Sequence, residues 1–323
     1  MRLVIGFALL AFLAVADLVI AGLGSDRNQA HVAARAGDFT IIPHPETPLS
    51  DEERQKILAH GPWPPTPRRD ASNRVSGEPE AIALGERLFY EPRLSGTGSV
   101  LCATCHVPYR RFQDSRARAF GLEETERNTP TLLDVGFYPR WGWEGARDSL
   151  WSQSIRPLLE PREMRSSPPR IGKFLRTYAA ADYQKAFGRP PPTNDAEIIA
   201  DVGKALAAYQ ETLISGRTAF DAFRDALACD DTAGIRTYPE AARRGLRSFV
   251  RACSGCHAGP TFSSGSIVGG FRVPALRNVA LTSPYMHDGN VATLRDAALH
   301  ASPKVTPAEI DDLAAFLESL TER

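Results

Sequence analysis

Three observations predict an all-α fold with long irregular connections for this chain. Apolar residues recur at helical spacing, helix-start signals precede the clearest of these stretches, and no sustained apolar–polar alternation bounded by hairpin turns marks a sheet. The 323 residues, 43% hydrophobic and 24% charged, suit a soluble globular body of about two domains. Thirty-eight Lys and Arg balance thirty-eight Asp and Glu, which argues against a nucleic-acid partner.

Residues 1–24 carry Arg2 and then a nearly unbroken apolar run to Asp17, with Ala14-Val15-Ala16 as a small-residue cleavage site. This reads as an export signal, the alternative being a retained anchor, and retention is the one route to a membrane association. A bacterial chain so exported is expected in the periplasm. Residues 25–78 are Pro-rich, with seven prolines between Pro43 and Pro67. There only Ser50 to His60, opening on an S-x-x-E capping box, is expected to be helical, and the rest is expected to run extended over the surface. Ile198, Val202, Leu206, Tyr209 and Leu213 share one face of a helix expected over Glu197–Ser215. Thr306, Pro307 and Glu309 form a T-x-x-E start before Ile310, Leu313, Leu317 and Leu320. The Pro- and Gly-rich stretch Gly188 to Thr193 suits a domain boundary.

The chemical signal is Cys102-Ala103-Thr104-Cys105-His106, repeated as Cys253-Ser254-Gly255-Cys256-His257. C-x-x-C-H is the attachment pattern of c-type haem: two thiols three positions apart reach the two vinyl groups of one porphyrin, and the adjacent histidine lies beneath the iron. The competing reading, one zinc held by four thiolates, leaves both histidines unexplained. Cys229 has no C-x-x-C partner and receives no function. Two such motifs imply two cytochrome-c-like domains, 79–192 and 193–323, each with one covalent haem. After the first motif no Met or His occurs until Met164, so the first haem is expected to have an open face, as a catalytic haem requires.

ALGERLFYEPRLSGTGSVLCATCH, RNTPTL, GWEGARDSLWSQ, REM, LISGRTAFD, CSGCHAGPTF and VPALRNVALTSPYMHDG occur in this order over about residues 80–320. In this the chain resembles the bacterial di-haem cytochrome c peroxidases, and among them the MauG-like branch, including its methanobactin-associated members. The resemblance implies a peroxide-reactive haem on His106 and an electron-relay haem on His257. It implies Glu163 as distal carboxylate, Gln153 as distal amide, Trp143 as relay between the haems, and one Ca²⁺ held by Asn128 with the carbonyls of Thr282 and Pro284. Usual peroxidases keep a redox-switched histidine shortly after the first motif; its absence is similar to the MauG-like members.

The pattern breaks at the second haem. Relatives supply methionine or tyrosine after PY-x-HDG, whereas this chain has TLRDAALHASP with alanine at the corresponding place. His300, one position earlier, is the expected sixth ligand, with Met286 or no protein ligand as alternatives. The function implied is an oxidoreductase that reacts with H2O2 and turns the oxidising power stored across both haems on a partner protein, such as a Trp to be modified. The alternatives are peroxide reduction with electrons from a small cytochrome or cupredoxin, and a di-haem electron carrier without catalysis, which Glu163 over an open haem opposes.

Overall fold

The computed structural model describes residues 48–67, 69–301 and 304–322, with backbone alone at positions 300 and 301. The expected export segment and the start of the Pro-rich stretch lie outside the described residues. Twelve helices carry the described chain: α1 (Asp51–Leu58), α2 (Pro79–Phe89), α3 (Cys102–Cys105), α4 (Leu150–Leu159), α5 (Pro168–Tyr178), α6 (Ala180–Phe187), α7 (Asp195–Gln210), α8 (Ala219–Ala228), α9 (Thr232–Arg236), α10 (Glu240–Ala252), α11 (Leu294–Ala301) and α12 (Ile310–Glu318). None of these is long and apolar enough to cross a membrane. The sheet content is one hairpin, β1 (Ile267–Val268) and β2 (Phe271–Arg272). Its turn is Gly269-Gly270, both at positive φ (58° and 85°), the geometry that Gly-Gly supplies without strain. The sequence carried that signal in V-G-G-F, though the strands are too short to show alternation.

Two large apolar cores organise the described helices, and a small third cluster joins Leu150 of α4 and Ala207 of α7 with Val135 and Tyr138. The first joins α2, α4, α5, α6 and α7 through residues such as Leu88, Leu158, Tyr183 and Val202. The second joins α1, α8, α10 and α12 through Ile57, Phe220, Phe249 and Phe316. Helix α7 belongs to the first core, which includes its residues up to Tyr209.

Local starts follow the expected chemistry. At α1, Ser50 Oγ accepts from the Glu53 N–H at 3.2 Å while the Ser50 N–H donates to Glu53 Oε2 at 2.8 Å. At the C-terminus the Thr306 N–H and hydroxyl both donate to Glu309 Oε2, at 3.0 and 2.8 Å, but a turn intervenes and regular helix begins at Ile310. Helix α7 ends at Gln210, five residues before the expected end. The Asp134 carboxylate accepts from both the N–H and the hydroxyl of Ser215 at 2.8 Å, and the Asp134 N–H donates to the Leu213 carbonyl at 2.7 Å. These bonds draw residues 213–215 off the helical path.

The Pro-rich stretch departs from expectation at Trp63, which is buried rather than exposed. Its indole N–H donates to the Ser215 carbonyl at 3.0 Å, and the Arg277 guanidinium lies 3.6 Å from its ring centre. Arg277 pairs with Asp221 at 2.5 Å, with both side chains almost fully enclosed.

Close helix contact depends on Gly245 of α10: a Cβ there would stand 1.8 Å from the Asp312 carbonyl oxygen of α12. Gly245→Ala must force the two helices apart, and a loss of roughly 1–3 kcal/mol is expected in denaturant unfolding. Burial raises the Asp134 carboxyl from 3.8 to about 6, against the Ser215 bonds that hold it down. The folded state therefore binds this proton more tightly than the unfolded chain. Its contribution is full below about pH 4 and is lost as pH rises through about 6. Asp134→Asn, which tolerates the left-handed φ of 66°, should flatten that segment of the Tm-against-pH curve.

Candidate active site

The two C-x-x-C-H motifs adopt matching local geometry. The His106 N–H donates to the Cys102 carbonyl and the His257 N–H to the Cys253 carbonyl, each at 2.9 Å, so each motif closes one helical turn. Side chains three and four positions apart then share a face. The first motif forms α3; the second continues from the end of α10.

Each imidazole is tied down at one nitrogen. His106 Nδ1 lies 2.9 Å from the Phe112 carbonyl and His257 Nδ1 lies 2.9 Å from the Phe262 carbonyl. A carbonyl only accepts, so Nδ1 carries the hydrogen in both rings and Nε2 presents a lone pair, the tautomer that ligates a metal. Burial also lowers the basicity of both rings, which keeps them neutral. Phe112 and Phe262 reach this position with left-handed backbones, φ 57° and 55°, at a cost on the order of 1–3 kcal/mol each.

No group of three or more His, Cys, Asp or Glu side chains able to hold a metal ion occurs among the described residues, so the four cysteines do not converge on one zinc. Burial pushes the Cys102 and Cys105 thiols up to about 12, further from thiolate ligands. Cys229 is exposed at the end of α8.

A cavity of about 570 Å³, lined mainly by apolar side chains, opens over the second motif, with Cys253, Cys256 and His257 on its wall. Its size falls in the range of cofactor pockets. Arg272 on β2 also lines it, is 8% exposed, and has no carboxylate partner among the described residues. A buried cation without a counter-charge is costly, and the two carboxylates of a porphyrin are suited to meet it. Apolar walls, two cysteines, one correctly tautomeric histidine and a buried arginine fit a covalent haem.

The same cavity gathers Trp143, Asn128, Thr282, Pro284 and Met286. The Trp143 indole N–H donates to the Asn128 carbonyl at 2.8 Å, and the Asn128 N–H donates to the His287 carbonyl at 2.9 Å. Asn128 Nδ2 donates to the Arg116 carbonyl at 2.7 Å, which leaves Oδ1 as the amide's oxygen donor. His300 lies on α11, and its side chain is outside the described residues.

At the first motif, Cys105 Sγ lies 3.5 Å from the Phe120 carbonyl, and the next residues bind the turn after α4: the Leu122 N–H donates to the Glu163 carbonyl at 3.0 Å. Glu163 is thereby held near the cysteines, close enough for its charge to raise both thiols. Burial raises the Glu163 carboxyl, while Arg156, donating from Nη1 at 2.9 Å, opposes the shift. Gln153 stands three residues before Arg156 on α4, on the same face, its Oε1 beside Gly142 next to Trp143.

Sequence reasoning missed the carbonyls of Phe112 and Phe262, although both motifs carry a Phe five or six residues after the histidine. It also missed Arg156, Arg272 and His287. His287 stacks on Phe271 at 3.8 Å, and its Nδ1 is buried without a partner.

The family model for di-haem cytochrome c peroxidase matches residues 79–227. The methylamine utilization protein MauG of Methylorubrum extorquens is 32% identical over 287 residues, covering 75% of this chain and 78% of that one. The chain belongs to the di-haem cytochrome c peroxidase family. It is a peroxide-acting oxidoreductase, and membership implies two haem c cofactors. Cytochrome c551 peroxidase of Pseudomonas aeruginosa is 27% identical over 317 residues, covering 85% of this chain and 88% of that one. Among solved structures, a MauG-like protein associated with microbial copper homeostasis is 26% identical with a TM-score of 0.65, covering 81% of this chain and 96% of that one.

The intact mass of the denatured protein should exceed the polypeptide by two haems. Cys256→Ala combined with Cys253→Ala should remove one and leave the other.

Proposed function

We propose that this family member uses H2O2 to oxidise a partner protein in the manner of MauG rather than serving as a general cytochrome c peroxidase. The observation that carries this reading is the lack of a second ligand at the first site. Among the described side chains, His60 binds the Gly259 carbonyl at 2.9 Å, His287 lines the second cavity, and Met164 is buried in the first core. On this reading none of the three would ligate a haem held by His106, and H2O2 would have access to it. His300, on α11 against the second half, remains the proposed sixth ligand for the second haem, with Met286 as its rival on the cavity wall.

The haems supply the redox chemistry: H2O2, two protons and two electrons become two waters, and the oxidising equivalents pass to the partner. The protein's part begins at Glu163. Its carboxylate would hold and move a proton between the two oxygens of H2O2 at the first site. Desolvation raises its proton affinity toward the value such a shuttle needs, and Arg156 holds its direction. Gln153 orients the peroxide. Trp143, on the wall of the second cavity and fixed by its bond to Asn128, would serve as an oxidisable indole relaying between the two haems. Asn128 Oδ1 with the Thr282 and Pro284 carbonyls would hold Ca²⁺ with waters completing the shell, the hard-oxygen set that ion takes. An export signal cleaved at Ala14-Val15-Ala16 would put this chemistry in the periplasm.

Glu163→Gln should slow peroxide consumption by about 100- to 10,000-fold, as loss of a positioned proton shuttle does, while both haems stay bound. Stopped-flow mixing with H2O2 measures it, and a parent-like rate removes Glu163 from the proton path. Steady-state assay with reduced cytochrome c as the donor separates the two family activities. Slow turnover is expected; rapid turnover makes the chain a cytochrome c peroxidase.

A further inference from the structure

His60 takes no part in the reaction described above, yet it is among the most enclosed polar side chains in the protein, 2% exposed. It follows α1 and enters the second core, where its ring stacks on Phe262 with centres 4.5 Å apart and planes 6° from parallel. Its Nδ1 lies 2.9 Å from the Gly259 carbonyl. As that carbonyl only accepts, Nδ1 is the donor.

Both contacts fall on one tight turn. The Gly259 carbonyl also accepts the Phe262 N–H at 3.0 Å, closing a turn whose end residues have φ of 73° and 55°. The product of that turn is the Phe262 carbonyl, which receives the Nδ1–H of His257. His60 thus grips a left-handed, strained segment at its first carbonyl and its last ring, and what the segment presents is the acceptor for the second haem's proximal histidine. The first site has the same left-handed Phe112, but only the edge of Phe89, with ring centres 6.2 Å apart, and no described imidazole, against it.

We infer that His60 is a positioning residue for His257: by holding the Gly259–Phe262 turn it fixes the Nδ1–H···carbonyl bond and so sets the reduction potential of the second haem alone. A histidine that donates firmly from Nδ1 is a stronger electron donor at Nε2 and favours the ferric iron. Release of the turn weakens that donation and favours the ferrous iron. The inference rests on His257 carrying a haem, which the mass of the parent protein checks separately.

The test is a spectroelectrochemical titration of the two-haem protein, with low-spin EPR as a second readout. His60→Phe keeps an aromatic ring on Phe262 and removes the N–H. At a fixed potential the ferrous-to-ferric ratio of the second haem should rise by roughly tenfold, the low end of outer-shell effects, or about 59 mV for one electron. His60→Asn puts an amide N–H where Nδ1 stood and should stay within about twofold of the parent. The first haem, unchanged in both variants, serves as the folding control. An unshifted second haem in His60→Phe, an equal shift of both haems, or a shift in His60→Asn as large as in His60→Phe overturns the inference. Should His60→Phe fail to take up both haems, a tenfold shift in His60→Asn overturns it by itself.

Discussion

An imidazole that must offer Nε2 to an iron has to dispose of the hydrogen on Nδ1, and the surrounding structure is arranged around how this chain does so. Both motifs use a backbone carbonyl turned inward by a left-handed phenylalanine, at 2.9 Å in each case. A left-handed aromatic residue persists only where its surroundings over-determine it. At the second site they do. The Phe262 ring is fully buried among Phe220, Phe249, Phe316 and His60, so core packing and ligand orientation are one arrangement. Fully burying one such ring is worth roughly 1.5–3 kcal/mol, enough to offset the backbone strain.

A second constraint ties that turn to the rest of the molecule. The Arg277–Asp221 pair is buried, and such a pair stabilises little in itself because desolvation cancels most of the attraction. Its value lies in what the guanidinium organises. Arg277 also reaches Ser215 Oγ at 3.3 Å and the Pro260 carbonyl at 3.3 Å, and it covers the Trp63 ring. One cation therefore fastens the chain after α7, the proximal turn of the second motif and the Pro-rich segment. Removing either partner would leave an uncompensated charge in the core, so the arrangement is retained as a whole.

The helical fold, the α1 capping box and the haem motifs were legible because each is set by neighbours in sequence. Ile198, Val202 and Leu206 are buried on one helix face, as their spacing required. What escaped was set by partners far along the chain. Trp63 sits among prolines that signal an extended surface path, and only the Ser215 carbonyl and Arg277, more than 150 and 210 positions away, reveal why it is buried. The end of α7 was misplaced for the same reason, since Asp134 competes for Ser215 from across the fold. The Gly269-Gly270 hairpin was not read from the sequence, because two residues per strand carry no period. The candidate site residues came from family resemblance; periodicity alone would have read Glu163 and Gln153 as ordinary polar positions.

The two sites differ in charge. Around the first motif the charged group is a half-buried carboxyl, Glu163, whose proton affinity is raised by desolvation and tempered by Arg156. Such a group responds to the proton movements that accompany breaking an O–O bond. Around the second motif the buried ionisable group on the cavity wall is the cation Arg272, whose charge burial disfavours. A fixed cation in a low-dielectric cavity raises the electron affinity of whatever occupies it, and the firm His257 donation opposes that pull. On the proposed function the second site relays electrons, and its potential would then sit between these opposing influences. At the first site no described imidazole stands behind the Phe112 turn, where the edge of Phe89 packs instead.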